Sequence, residues 1–85
     1  MMFEQELQYS KQALKFLEKQ PLQVRQRIDN AIRQIPKGDI VKLQGRMGYR
    51  LRVGSYRVIF DRAGRVVLVK KIDNRGDVYK GGVNR

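Results

Sequence analysis

Eighty-five residues, 41% hydrophobic and 32% charged, fit one folded domain spanning residues 1–85, with a single modest core and no room for a second. The chain has no cysteine and no histidine, which excludes disulfides, thiolate or imidazole zinc sites and the usual general base near neutral pH. The formal net charge is +11 and uneven: residues 1–40 carry seven Lys/Arg against five Asp/Glu, and residues 41–85 carry twelve against three. That asymmetry points to a polyanionic partner, with nucleic acid ahead of a membrane surface. No apolar run approaches the roughly 18 residues of a membrane span, and Met1 to Ser10 does not read as a signal peptide. The expectation is a soluble, cytoplasmic protein.

In chain order, Met2 to Tyr9 alternates weakly around Phe3 and Leu7 and predicts a short first strand. Ser10 is an N-cap candidate for "KQALKFLEKQ", where Ala13, Leu14 and Leu17 share a helical stripe. Gln20-Pro21 ends that helix, and proline is tolerated in the first turn of the next. In "PLQVRQRIDNAIRQI", Val24, Ile28, Ala31, Ile32 and Ile35 recur at three- and four-residue spacing, predicting a second amphipathic helix. Pro36 and Gly38 stop it, and a connector runs through Gly48.

From Tyr49 the period becomes two. Gly54-Ser55 fits a two-residue hairpin turn of type II′ and fixes the register, with Arg52 opposite Arg57 and Arg50 opposite Ile59. One face of the hairpin is then Tyr49, Leu51, Val53, Tyr56, Val58 and Phe60; the other holds Arg50, Arg52, Arg57 and Ile59. "DRAG" reads as the next turn, and "RVVLVKKI" as an apolar, interior C-terminal strand. The fold class is α+β, in the order β-α-α-β-β-β. An N-terminal helical hairpin packs on one face of a small, mainly antiparallel sheet.

Opposed like charges on a sheet are destabilising, and no Asp or Glu lies between Val41 and Phe60 to relieve the three arginines. An anion over this face relieves them, and a phosphate does so best, because its oxygens match the guanidinium fork. An unused, solvated basic surface is the bland alternative. Arg75 and Tyr79 follow the last strand and bring a further guanidinium and a phenol to the sheet's end. Lys70 and Lys71 are adjacent, so a regular pleat puts them on opposite faces and admits at most one to the cluster.

"YRLRVGSYRVIF", the valine-rich strand and "NRGDVY", together with "VKLQG" and "ALKFLEK", resemble the RelE toxins of bacterial and archaeal type II toxin–antitoxin pairs. The resemblance covers essentially the whole chain; the hairpin marks the wider RelE/ParE superfamily, and the terminal Arg…Tyr its RNA-cleaving branch. It implies a ribosome-dependent messenger RNA endoribonuclease acting in the small-subunit decoding site, without metal or other cofactor. A ribose 2′-hydroxyl attacks the neighbouring phosphodiester, leaving a cyclic phosphate and a 5′-hydroxyl. By position, Arg57 would hold the scissile phosphate. Arg50 and Arg52 stand where the family has basic residues, often lysine, Arg75 matches the arginine after the last strand, and Tyr79 the terminal tyrosine. Arg46, Lys70, Lys71 and Lys80 are the flanking RNA-binding candidates.

Two departures bear on proton transfer. Arginine stays protonated at ordinary pH, so Tyr79 is the first candidate base, with Lys70 or Lys71 as substitute acid. Asn74 stands where several relatives have histidine. The resemblance also implies a cognate antitoxin as partner. Two other classes stay open: a ParE-like inhibitor of DNA gyrase without nuclease activity, and a non-catalytic basic RNA-binding domain.

Overall fold

A computed structural model describes residues 5–44 and 48–74. Within them the chain forms β1 (Glu6–Tyr9), α1 (Lys11–Glu18), α2 (Leu22–Arg33), β2 (Asp39–Lys42), β3 (Tyr49–Val53), β4 (Tyr56–Ala63) and β5 (Val66–Asp73). The five strands make one sheet in the order β1-β5-β4-β3-β2. Three neighbouring pairs are antiparallel, and β1 lies parallel to β5. The helices cover one face, which makes the predicted α+β layering correct.

One strand exceeds the sequence pattern: β2 occupies part of the predicted connector. It is an edge strand in which only Ile40 is half-buried. A four-residue edge strand with solvent on one flank needs no continuous apolar face, so alternation does not reveal it.

Local chemistry explains the elements. The Ser10 hydroxyl oxygen accepts from the Ala13 N–H, as an N-cap should, and its O–H donates to the Lys70 carbonyl at 2.7 Å. Beyond the reach of β1, Gln12 acts as a substitute strand for β5. Its amide nitrogen donates to the Ile72 carbonyl and its amide oxygen accepts from the Ile72 N–H, both at 3.1 Å. Ala13 is buried and Phe16 and Leu17 pack on the core, whereas Leu14, assigned to the same stripe by spacing, is 48% exposed. Helix α2 buries Ile28 and Ile32, and Ile35 follows in the turn, before a cis Ile35–Pro36 peptide.

The predicted hairpin register is the observed one, residue for residue. Gly54 has φ +61°, and no non-glycine residue among those described has positive φ. Ser55 is therefore in the negative range, as type II′ requires and type I′ forbids. Strand β4 runs on through "DRA", so the next turn is Gly64-Arg65, again led by a glycine with positive φ (+62°). Inward residues of β3, β4 and β5 (Leu51, Val53, Val58, Phe60, Val67, Val69 and Ile72) meet Ala13, Ile28, Ile32 and Ile35 in one core. Among the described residues no helix is long and apolar enough to cross a membrane.

A Tyr9–Asp29–Arg33 chain ties β1 to α2. The Tyr9 hydroxyl donates to Asp29 Oδ1 at 2.8 Å, and Arg33 Nε donates to Asp29 Oδ2 at 2.8 Å. Burial, then the hydrogen bond to the Asp29 carboxylate, push the Tyr9 phenol well above the ordinary tyrosine value. The folded chain thus holds this proton more tightly than the unfolded chain does. The stability it contributes is complete below the unfolded value of about 10 and is lost as pH rises above it. In a phenolate absorbance titration, Tyr9 is expected to ionise after an ordinary tyrosine. Tyr9→Phe removes that late step and costs roughly 1 kcal/mol of stability at neutral pH.

Candidate nucleic-acid interface

The outer face of the sheet, away from the helices, takes the residues that alternate with the core positions. Register sets one row across four strands: Asp39 on β2, Arg52 on β3, Arg57 on β4 and Asp73 on β5. The next row is Val41, Arg50, Ile59 and Lys71. The predicted opposition of Arg52 and Arg57 is present, with Arg50 on the same face one row away.

The expectation that no carboxylate relieves the arginines needs correction. It holds within the hairpin, but relief comes from the neighbouring strands. Arg57 Nη2 donates to Asp73 Oδ2 at 3.1 Å, with the two side chains 29% and 25% exposed. Asp39 stands opposite the exposed Arg52 on the other flank. The contact between Arg57 and Asp73 is made at a single nitrogen rather than as a fork, since Arg57 Nε and Asp73 Oδ1 are both buried without a hydrogen-bond partner. Arg50 Nε is in the same condition. Such orphaned polar atoms are costly and rare, and of the four among the described residues three, Arg50 Nε, Arg57 Nε and Asp73 Oδ1, lie on this face.

A β-bulge explains why Asp73 and the two lysines are where they are. Phe60 pairs with Val69 but Ile59 pairs with Lys71, so Lys70 is an extra residue in β5. The bulge cancels one alternation. Lys71 shares the outer face with Ile59, and Lys70 reaches Asp61, an outward residue of β4, through an ion pair of 3.1 Å. Both lysines therefore belong to the arginine side, against the expectation from a regular pleat. Lys70 is engaged by a carboxylate; Lys71 is exposed. The buried positions Val67, Val69 and Ile72, spaced two and then three apart, record the break in alternation.

Of the predicted site residues, Arg50, Arg52, Arg57, Lys70 and Lys71 converge on one face. Arg46, Arg75, Tyr79 and Lys80 lie outside the described residues. Asp39, Asp61 and Asp73 are the members that sequence reasoning missed. Among the described residues no group of three or more acidic side chains is placed to hold a metal ion. An open cleft lined by Gln5, Leu7, Ile35, Pro36 and Arg62 lies on the helical side and does not include these arginines. What the outer face can do chemically is bind an anion at several guanidinium groups and stabilise charge that develops on it.

No protein-family model matches the sequence, and no curated protein matches it at a significant level. Solved structures do. The chain is similar to a RelB–RelE antitoxin–toxin complex structure from Methanococcus jannaschii, with a TM-score of 0.68 and 27% identity over 87% of this chain and 96% of that one. It is similar also to an archaeal RelE–RelB complex structure from Pyrococcus horikoshii OT3, with a TM-score of 0.67 and 28% identity over 87% and 98%. The toxin–antitoxin complex RelBE2 from Mycobacterium tuberculosis shares the fold at a TM-score of 0.71 and 17% identity, over 86% and 100%. The two-helix layer, the mixed five-stranded sheet and these matches agree: the chain has the fold of the RelE-family toxins.

Proposed function

We propose that this chain is the toxin of a type II toxin–antitoxin pair and an endoribonuclease that cleaves messenger RNA on the ribosome. The observation that carries the reading is the outer-face cluster of Arg50, Arg52, Arg57 and Lys71 on a RelE-type sheet. Three guanidinium groups within two rows are suited to the non-bridging oxygens of a phosphodiester. Negative charge grows on those oxygens when the ribose 2′-oxygen bonds to phosphorus. The bond from phosphorus to the 5′-oxygen then breaks, giving a cyclic phosphate and a 5′-hydroxyl. Fixed cations aimed at that growing charge lower the barrier.

Two proton transfers complete the step: one leaves the 2′-hydroxyl and one reaches the 5′-oxygen. Arginine does neither at ordinary pH. Tyr79 is assigned the first, on its match to the terminal tyrosine of the RelE toxins. Lys71 is the better placed of the two lysines for the second, because Lys70 is held by Asp61. The messenger and the small-subunit decoding site are then the working partners. A cognate antitoxin is the resting one, in keeping with the RelB–RelE complexes among the similar structures. Its amphipathic segment has the helical layer, with exposed Leu14 and Leu22, or the basic face to cover.

A translation extract tests this directly. The wild-type chain is expected to cut ribosome-bound messenger and leave cyclic phosphate ends, and Tyr79→Phe is expected to slow cutting by about 100-fold. Intact messenger beside stalled gyrase–DNA complexes would instead support a ParE-like gyrase inhibitor. Salt-sensitive RNA binding with no cleavage at all would support a non-catalytic RNA-binding domain.

A further inference from the structure

The acid–base–base–acid row Asp39, Arg52, Arg57, Asp73 contains two cations and two anions, so it is neutral as a unit. A neutral row is an odd centre for a face meant to grip a polyanion. The two ends differ. Asp73 is a quarter exposed and makes an ion pair with Arg57, whereas Asp39 is exposed on the edge strand opposite Arg52. The contact to Asp73 uses one guanidinium nitrogen, and Arg57 Nε is turned into the protein without a partner. The Nε–Nη edge, one of the two edges with which arginine grips a pair of phosphate oxygens, is therefore not presented. Repulsion from Arg52 directly opposite favours the same arrangement.

We propose that Asp73 is a positioning residue that latches Arg57 in a non-presenting conformation, so that RNA phosphate must displace its carboxylate to bind. This rests on the reading of the outer face as a phosphodiester site. The latch lowers affinity for any polyanion that cannot fully replace the Asp73 contact. It thereby favours a phosphate delivered at the right place over RNA in general. The bulge at Lys70 makes the latch possible, because it brings Asp73 rather than Ile72 opposite Arg57.

The test measures the affinity of the full chain for a short single-stranded RNA carrying 2′-O-methyl groups, which cannot be cut by 2′-hydroxyl attack, at fixed salt. Asp73→Asn is expected to tighten binding about fivefold. Asp39→Asn makes the same charge change in the same row without breaking an ion pair, and is expected to tighten it by less than about twofold. In an Arg57→Ala background the gain from Asp73→Asn should shrink to the Asp39→Asn level. Removing either carboxylate favours a polyanion through charge alone, so the diagnostic readings are the excess over Asp39→Asn and its dependence on Arg57. A gain no larger than that of Asp39→Asn, or one that survives Arg57→Ala, overturns the latch while leaving the phosphate site standing. Failure of the wild type and of Asp73→Asn alike to bind the RNA overturns the phosphate reading itself.

Discussion

Arg57→Ala is expected to cut messenger cleavage by about a thousandfold while costing the fold no more than about 1 kcal/mol. Arg57 lies on the interior strand β4, between Arg52 on one side and Asp73 on the other, so its place is set by register on both flanks. On the proposed reading, removing it takes away a guanidinium that meets the developing charge once RNA phosphate has displaced Asp73, and donors so placed are each worth about two to three powers of ten in rate. The stability cost is small because Asp73, a quarter exposed, can take water in place of the guanidinium. Arg57→Lys keeps the charge and loses the fork, so it should recover only part of the activity. Cleavage rates in a translation extract, with melting curves of the same preparations, check both halves. Full activity in a folded Arg57→Ala chain removes this residue from the chemistry.

The hairpin was legible because its turn is chemically singular. Gly54 needs positive φ and Ser55 does not, which selects one turn type, and a two-residue turn leaves one register. The helix start was legible for a similar reason, since the Ser10 hydroxyl oxygen has one nearby N–H to accept from. Partners of the arginines were not legible, and the bulge is the cause. Continuing a regular ladder from the Phe60–Val69 pair would set Arg57 against Ile72 and leave Asp73 one step away. One extra residue buries Ile72 and brings the Asp73 carboxylate to Arg57. Bulges depend on how two strands fit together, and neither strand read alone carries that. Asp39 was missed for a different reason: its strand is an edge, too short and too wet to show alternation.

Phe60→Ala is expected to destabilise the fold by about 3–5 kcal/mol, a large part of the roughly 5–15 kcal/mol available to a small domain. Phe60 is 1% exposed and sits mid-strand on β4, opposite Val69 on β5 and Tyr49 on β3. Its ring stacks on that of Tyr49 with centroids 5.4 Å apart and an interplanar angle of 22°. Truncation removes the apolar area and leaves a cavity, and strands held by ladders on both sides cannot close over it. The urea midpoint should fall steeply with little change in slope, whereas Leu68→Ala on the outer face should change the unfolding free energy by under about 0.5 kcal/mol. A cost below about 1 kcal/mol at Phe60 would mean that the core is not packed as described. Phe60→Ala and Arg57→Ala separate the two faces of β4. Phe60 also adjoins the bulge that sets Asp73 and both lysines, so Phe60→Ala should lose activity in proportion to unfolded protein. Arg57→Ala, three residues away on the opposite face, should lose it while folded.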